Sequence, residues 1–143
     1  MDPLVVFSDI VGMLRKKPQM YLGHDKATAA QLAAMLVGDA LVLGEREVQV
    51  RQLEQGWTAV SGRSDWTARG PGSELPRSQL FRQLVNFPDA GLNEARHEIY
   101  VLAYASDVFV MTQQGVEVLQ GGVPSMETLG ILEKDHFHLG FRL

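Results

Sequence analysis

The sequence predicts an α+β fold: a two-layer sandwich in which a mostly antiparallel sheet carries helices on one face. Three observations lead there. The first third of the chain holds two stretches of apolar residues at helical spacing. Two pairs of short strand-like runs are each separated by a three-residue, glycine-containing connection. The chain then closes on a segment of clean alternation. Helices followed by hairpins fit one sheet with helices segregated to one side.

The first helix is expected from Asp2 to Arg15, because Val6, Phe7, Ile10, Val11 and Leu14 share one face. Pro18 is expected to end it, since proline disfavours helical geometry in the preceding residue. A compact turn from Pro18 to Gly23 follows. The second helix spans Thr28 to Leu43, with Thr28 as cap and Gly44 as stop. Its stripe of Leu32, Met35, Leu36 and Leu43 also contains an acid, Asp39. Strands over Glu47–Leu53 and Trp57–Ser61 flank Glu54-Gln55-Gly56. Residues Gly62 to Pro76 read as a long loop, the kind that closes over a pocket or stays mobile. Short helices over Arg77–Val85 and Asn93–Ala105 come next, then strands Val108–Thr112 and Val116–Leu119 about Gln113-Gln114-Gly115. In the last strand, Asp135 to Leu143, Phe137, Leu139 and Phe141 alternate with His136, His138 and Gly140.

Composition narrows the function. At 143 residues, 45% hydrophobic and 21% charged, the chain suits a single globular domain over residues 1–143. A net charge of −4 disfavours direct nucleic-acid binding, which needs clustered cations. The short cluster Arg15-Lys16-Lys17 is better read as the cationic end of a helix. With no cysteine, disulfides, thiolate zinc sites and a cysteine nucleophile are excluded. No apolar run approaches the ~20 residues that span a bilayer, and no signal h-region is present, so a cytoplasmic location is expected.

The segment Leu14-Arg15-Lys16-Lys17-Pro18-Gln19-Met20-Tyr21-Leu22-Gly23 resembles the R-K-R-P-G-M-Y-I-G signature of the ATPase domain of the DNA gyrase B subunit and its topoisomerase relatives. These are GHKL ATPases. The resemblance implies a Bergerat-like sandwich, with Arg15, Lys16, Pro18, Met20, Tyr21 and Gly23 as the matching turn and Gln19 replacing a glycine. A weaker similarity continues in order. Met35 to Gly44 match the family's second helix, Val60-Ser61-Gly62-Arg63-Ser64 its D-D-G-R-G motif, and Ala90 to Arg96 its glycine-rich phosphate loop. Gly122-Val123-Pro124 and the closing Gly140-Phe141-Arg142 match its tail.

The residues that carry chemistry in that family are changed. The resemblance places Met35 at the water-activating glutamate, and methionine cannot take a proton. Asp39 replaces the magnesium-binding asparagine and could still ligate a hard cation. Val60 falls at the adenine-binding aspartate, or Ser61 if the register slips by one. In the phosphate loop Gly91 and Leu92 match and Asn93 falls at the family's histidine, but Glu94 and Arg96 replace glycines that let backbone N–H groups approach phosphate. ATP hydrolysis is therefore not expected.

Each residue also has a plain reading. Asp39 is equally a buried acid paired with Arg63 or a backbone N–H. Arg63 is a solvated loop arginine, Tyr21 a packing residue, and His136 and His138 a solvated strand face rather than a metal pair. His24 and His97 lack a partner that suggests catalysis. Trp57 and Trp66 flank the loop, where they either pack or line a pocket. The favoured function is a non-catalytic, GHKL-like binding or regulatory module that contacts another protein and uses no cofactor or membrane. The alternatives are a nucleotide-binding domain using ATP and magnesium, hydrolysing slowly with Asp39 as base, and a modulator of a gyrase-type topoisomerase.

Overall fold

In a computed structural model, which describes residues 10–85 and 95–143, the chain forms a five-stranded, wholly antiparallel sheet with helices packed against it. The elements in order are α1 (Ile10–Lys16), α2 (Pro18–Leu22), α3 (Ala29–Val42), β1 (Gln49–Gln52), β2 (Thr58–Gly62), α4 (Arg77–Leu80), α5 (Glu98–Tyr104), β3 (Asp107–Thr112), β4 (Gly115–Gln120), α6 (Met126–Leu129) and β5 (Phe137–Arg142). Strand order is β1-β2-β5-β3-β4, so the last strand fills the centre between two hairpins.

Alternation sorts the side chains. Val60, Val108, Val110, Phe137, Leu139 and Phe141 join Leu14, Leu32, Leu36, Ile99 and Leu102 in the main core under the helices. Trp57, Ala59, Phe109 and Met111 point the other way and are covered by Leu132, with Leu129 of α6 against them. Gly140 makes room there. A β-carbon at that position would lie 2.1 Å from Phe109, its cross-strand partner, whose ring packs edge-on against Trp57 at 5.5 Å. No helix among the described residues is long and apolar enough to cross a membrane.

Pro18 does more than stop a helix. Lys17 leaves helical geometry, and Pro18 then opens α2 at its first position, where its missing N–H costs nothing. The expected turn is thus one helical turn, closed by Gly23 in the left-handed region at φ 77°. The second helix follows expectation, with the Thr28 hydroxyl accepting from the Gln31 N–H. The predicted helix over Arg77–Val85 is formed only as far as Leu80. The described part of the one over Asn93–Ala105 is α5, Glu98–Tyr104. Helix α6 was not legible in advance. Ser125 caps it by accepting from the Thr128 N–H.

The long loop is ordered by its own turns and by Arg96. Asp65 caps a short 3-10 turn at Trp66–Ala68. The Arg96 guanidinium donates to the carbonyls of Arg69 (2.8 Å), Pro71 (2.7 Å) and Thr67 (3.1 Å). Arg96 therefore ties the middle of this loop, Thr67 to Pro71, to the segment just before α5.

Candidate functional site

Asp39 sits on α3 one turn beyond Met35 and is almost fully buried, at 2% exposure. A buried carboxylate must be paired. Its partner is not Arg63, which instead forms a surface ion pair with Glu47. It is His97, just before α5: Asp39 Oδ2 accepts the His97 backbone N–H, and Oδ1 lies 2.7 Å from His97 Nδ1. A carboxylate only accepts, so Nδ1 carries the proton of that bond. The expectation that His97 lacks a partner is thereby corrected, and Asp39 bonds a backbone N–H as one of its sequence readings held. Each Asp39 oxygen thus accepts one bond from His97. Met35 is half-buried and packs against the main core.

Val60 and Ser61 part company at the sheet. Val60 is fully buried in the core beneath the helices, on the layer that holds Asp39. Ser61, its neighbour in an extended strand, points to the opposite face and bonds His138 on β5. If Ser61 rather than Val60 is matched to the family's aspartate, its hydroxyl therefore lies on the face away from Asp39. Gly62 is closely covered: a β-carbon there would lie 2.9 Å from Glu45 and 3.0 Å from Trp66. Glu45, 5% exposed, accepts from the N–H groups of Arg63 and Ser64 and from the Ser64 hydroxyl. Burial raises its carboxyl, but these hydrogen bonds prevail and hold it below the ordinary range. Trp66 is fully buried edge-on against Phe137, and its indole N–H has no hydrogen-bond partner.

Gly91, Leu92, Asn93 and Glu94 lie outside the described residues. Arg96 is described, and it faces inward. It is 1% exposed and bonds Glu98, equally buried, through Nε at 3.1 and 3.0 Å and through Nη2. Burial raises the Glu98 carboxyl, with the Arg96 guanidinium opposing. The Arg96 N–H donates to the Val85 carbonyl at 2.7 Å, joining the two ends of the segment between them. Arg96 thus works as an internal clamp.

The signature turn also acts on the fold. Arg15 donates to the carbonyls of Ala103 (2.7 Å) and Leu102 (3.1 Å) at the end of α5, and to Gln120. Those carbonyls are ones a helix leaves unpaired, so the guanidinium completes it. The Tyr104 hydroxyl donates to the Leu14 carbonyl. Burial, reinforced by Tyr100 and Tyr21, pushes its ionisation up to about 12. Tyr21 is half-buried against the core, as expected, whereas Lys16 and Met20 are exposed.

The histidine strand corrects a further expectation. His138 is fully buried. Its Nε2 lies 2.7 Å from the Glu133 carbonyl, which accepts only, so Nδ1 accepts the Ser61 hydroxyl at 2.6 Å. Burial, the main cause, lowers its ionisation. His136 stays partly exposed beside Glu133 and Asp135. Nothing in the local sequence signals the Ser61–His138 bond, because it depends on the register of β2 against β5. Among the described residues no group of three histidine or acidic side chains could hold a metal ion.

A separate open cleft of about 340 Å³ runs between the Arg63–Asp65 turn, the β3–β4 turn and the start of β5. Arg77 crosses it, paired with Asp65 and with Glu117 (2.6 Å) and lying over the Phe137 ring at 5.8 Å. Compared with protein-family models, with curated proteins and with solved structures, the chain matches none.

Proposed function

We propose that this chain is a non-catalytic, GHKL-like pseudo-ATPase module, cytoplasmic, that acts through contacts with another protein. The observation that carries this reading is Asp39. The one acid at the position of the family's catalytic helix is 2% exposed and holds His97 with both oxygens, so it serves an internal contact and is turned away from magnesium and water. Other arrangements support the reading. Met35 packs, Val60 is sealed in the core, and Gly62 lies under Glu45 and Trp66. Arg96 holds the chain to itself rather than facing outward. Exposed apolar side chains, among them Val116, Val118, Val123, Met126 and Ile131, suit contact with protein. Of the basic cluster, Arg15 is engaged on α5, and the overall charge is acidic, so nucleic acid is not the direct partner.

The test is thermal unfolding with millimolar ATP, ADP and a non-hydrolysable analogue, each with and without Mg²⁺. A ligand at about 100 times its dissociation constant adds roughly 2.7 kcal/mol, a shift of several degrees for a domain of this size. The expected result is an unchanged midpoint and no phosphate release. A midpoint raised by nucleotide, or turnover lost in Asp39→Ala, overturns the reading in favour of a nucleotide-binding domain. The resemblance directs the first partner search to gyrase-type topoisomerase subunits.

A further inference from the structure

Among the described residues, strand β4 lies at the edge of the sheet and pairs with β3 alone. An edge strand presents unpaired backbone N–H and C=O groups, and natural proteins usually blunt such edges with lysine, proline or an inward charge. The sequence Gly115-Val116-Glu117-Val118 has no lysine or proline. Val116 and Val118 are 42% and 47% exposed. They stand opposite Met111 and Phe109 and so extend the second apolar cluster to the rim of the sheet. The one charge on this edge, Glu117, is paired with Arg77, which it shares with Asp65. A register shift at Val108/Phe109 ends the regular ladder just beyond Val118.

We infer that β4 pairs antiparallel with β4 of a second copy of this chain, joining two five-stranded sheets edge to edge. What fits an open strand edge is another strand, and this one is its own complement. A twofold axis through Glu117 sets Val116 of each copy against Val118 of the other, giving an apolar row on the outer face. At the axis each glutamate brings its own Arg77, so the two carboxylates do not meet without a cation beside them. The contact is short, and an affinity in the range of about 10–100 µM is expected of so small an interface. This inference goes beyond the proposed function and does not depend on it.

Sedimentation velocity over a broad protein concentration range tests it. The natural chain is expected to pass from monomer to dimer as concentration rises. Val118→Lys, which sets a cation against Val116 of the second copy, is expected to weaken dimerisation at least tenfold with an unchanged circular-dichroism spectrum and melting midpoint. Leu41→Lys removes an equally exposed apolar side chain on α3 and is expected to leave the dimer intact. Because the chain has no cysteine, Val116→Cys and Val118→Cys give a second readout. The two variants mixed are expected to form a disulfide-linked heterodimer under mild oxidation, with little linkage of either alone. A chain that stays monomeric throughout, or a dimer that Val118→Lys leaves untouched, overturns the inference.

Discussion

Asp39 Oδ1 lies 2.7 Å from His97 Nδ1 while Asp39 Oδ2 accepts the backbone N–H of the same histidine. One buried carboxylate thus pins the start of α5 to the middle of α3, two elements 58 residues apart in sequence. The acid of the supposed catalytic helix works as a fastening between layers, and its removal should register in stability first.

Asp39→Ala removes the two hydrogen bonds that Asp39 accepts from His97, at a cost of about 2–4 kcal/mol. Asp39→Asn keeps an acceptor for the backbone N–H and should cost less than half as much. Urea unfolding of both variants checks this. Equal losses would mean that the carboxylate's charge, not its hydrogen bonding, holds α3 to α5.

The Arg96 clamp predicts a larger effect. Arg96→Met removes the bonds to Glu98 and to the carbonyls of Thr67, Arg69 and Pro71, and strands a buried carboxylate. A loss of about 3–5 kcal/mol is expected. The released loop should be cut by protease first within residues 62–76, which limited proteolysis with mass spectrometry would map. Unchanged cleavage would show that the loop's own turns suffice.

Acid should weaken the domain in two separate steps. The folded His138 ionises below its usual value of 6.5, so the native state keeps it neutral while the unfolded chain takes up a proton as pH falls through 6.5. Its share of stability is present above that pH and is lost on going down toward the folded value. Glu45 and Glu133 are also lowered in the folded state, so their shares are lost only below the usual 4.5. Denaturant titrations from pH 8 to pH 2 should show both steps, and His138→Gln should flatten the upper one alone.

Gly140→Ala tests the outer cluster. Its methyl group would enter the space held by the Phe109 ring, which must shift off Trp57. Overpacking of this kind costs about 1–3 kcal/mol. Pairing it with Phe109→Leu should recover part of the loss, and purely additive losses would argue against the steric cause.

Much of the fold was legible because its signals are local. Thr28, Gly44, the two glycine turns and the alternation of Phe137, Leu139 and Phe141 each act within a few residues. The α+β sandwich and all five strands follow from them almost directly, with ends moved by a residue or two. The second face of the sheet was harder to see. Trp57, Phe109 and Met111 signal strands, but the cover that buries them comes from Leu129 and Leu132 in a segment without strong periodicity.

The candidate site divides along the same line. The sequence by itself determined what particular side chains cannot do: Met35 cannot act as a base, the Val60 side chain cannot accept from an amine, and a chain without cysteine makes no thiolate, whatever the fold. Only the tertiary structure decided what the remaining polar groups do. Asp39 finds His97, Ser61 finds His138, and Arg96 finds Glu98 with three loop carbonyls, the first two across gaps of 58 and 77 residues. Such partners are chosen by burial, since a polar group removed from water takes whichever donor or acceptor the packed layers bring within reach. No spacing along the chain records that choice.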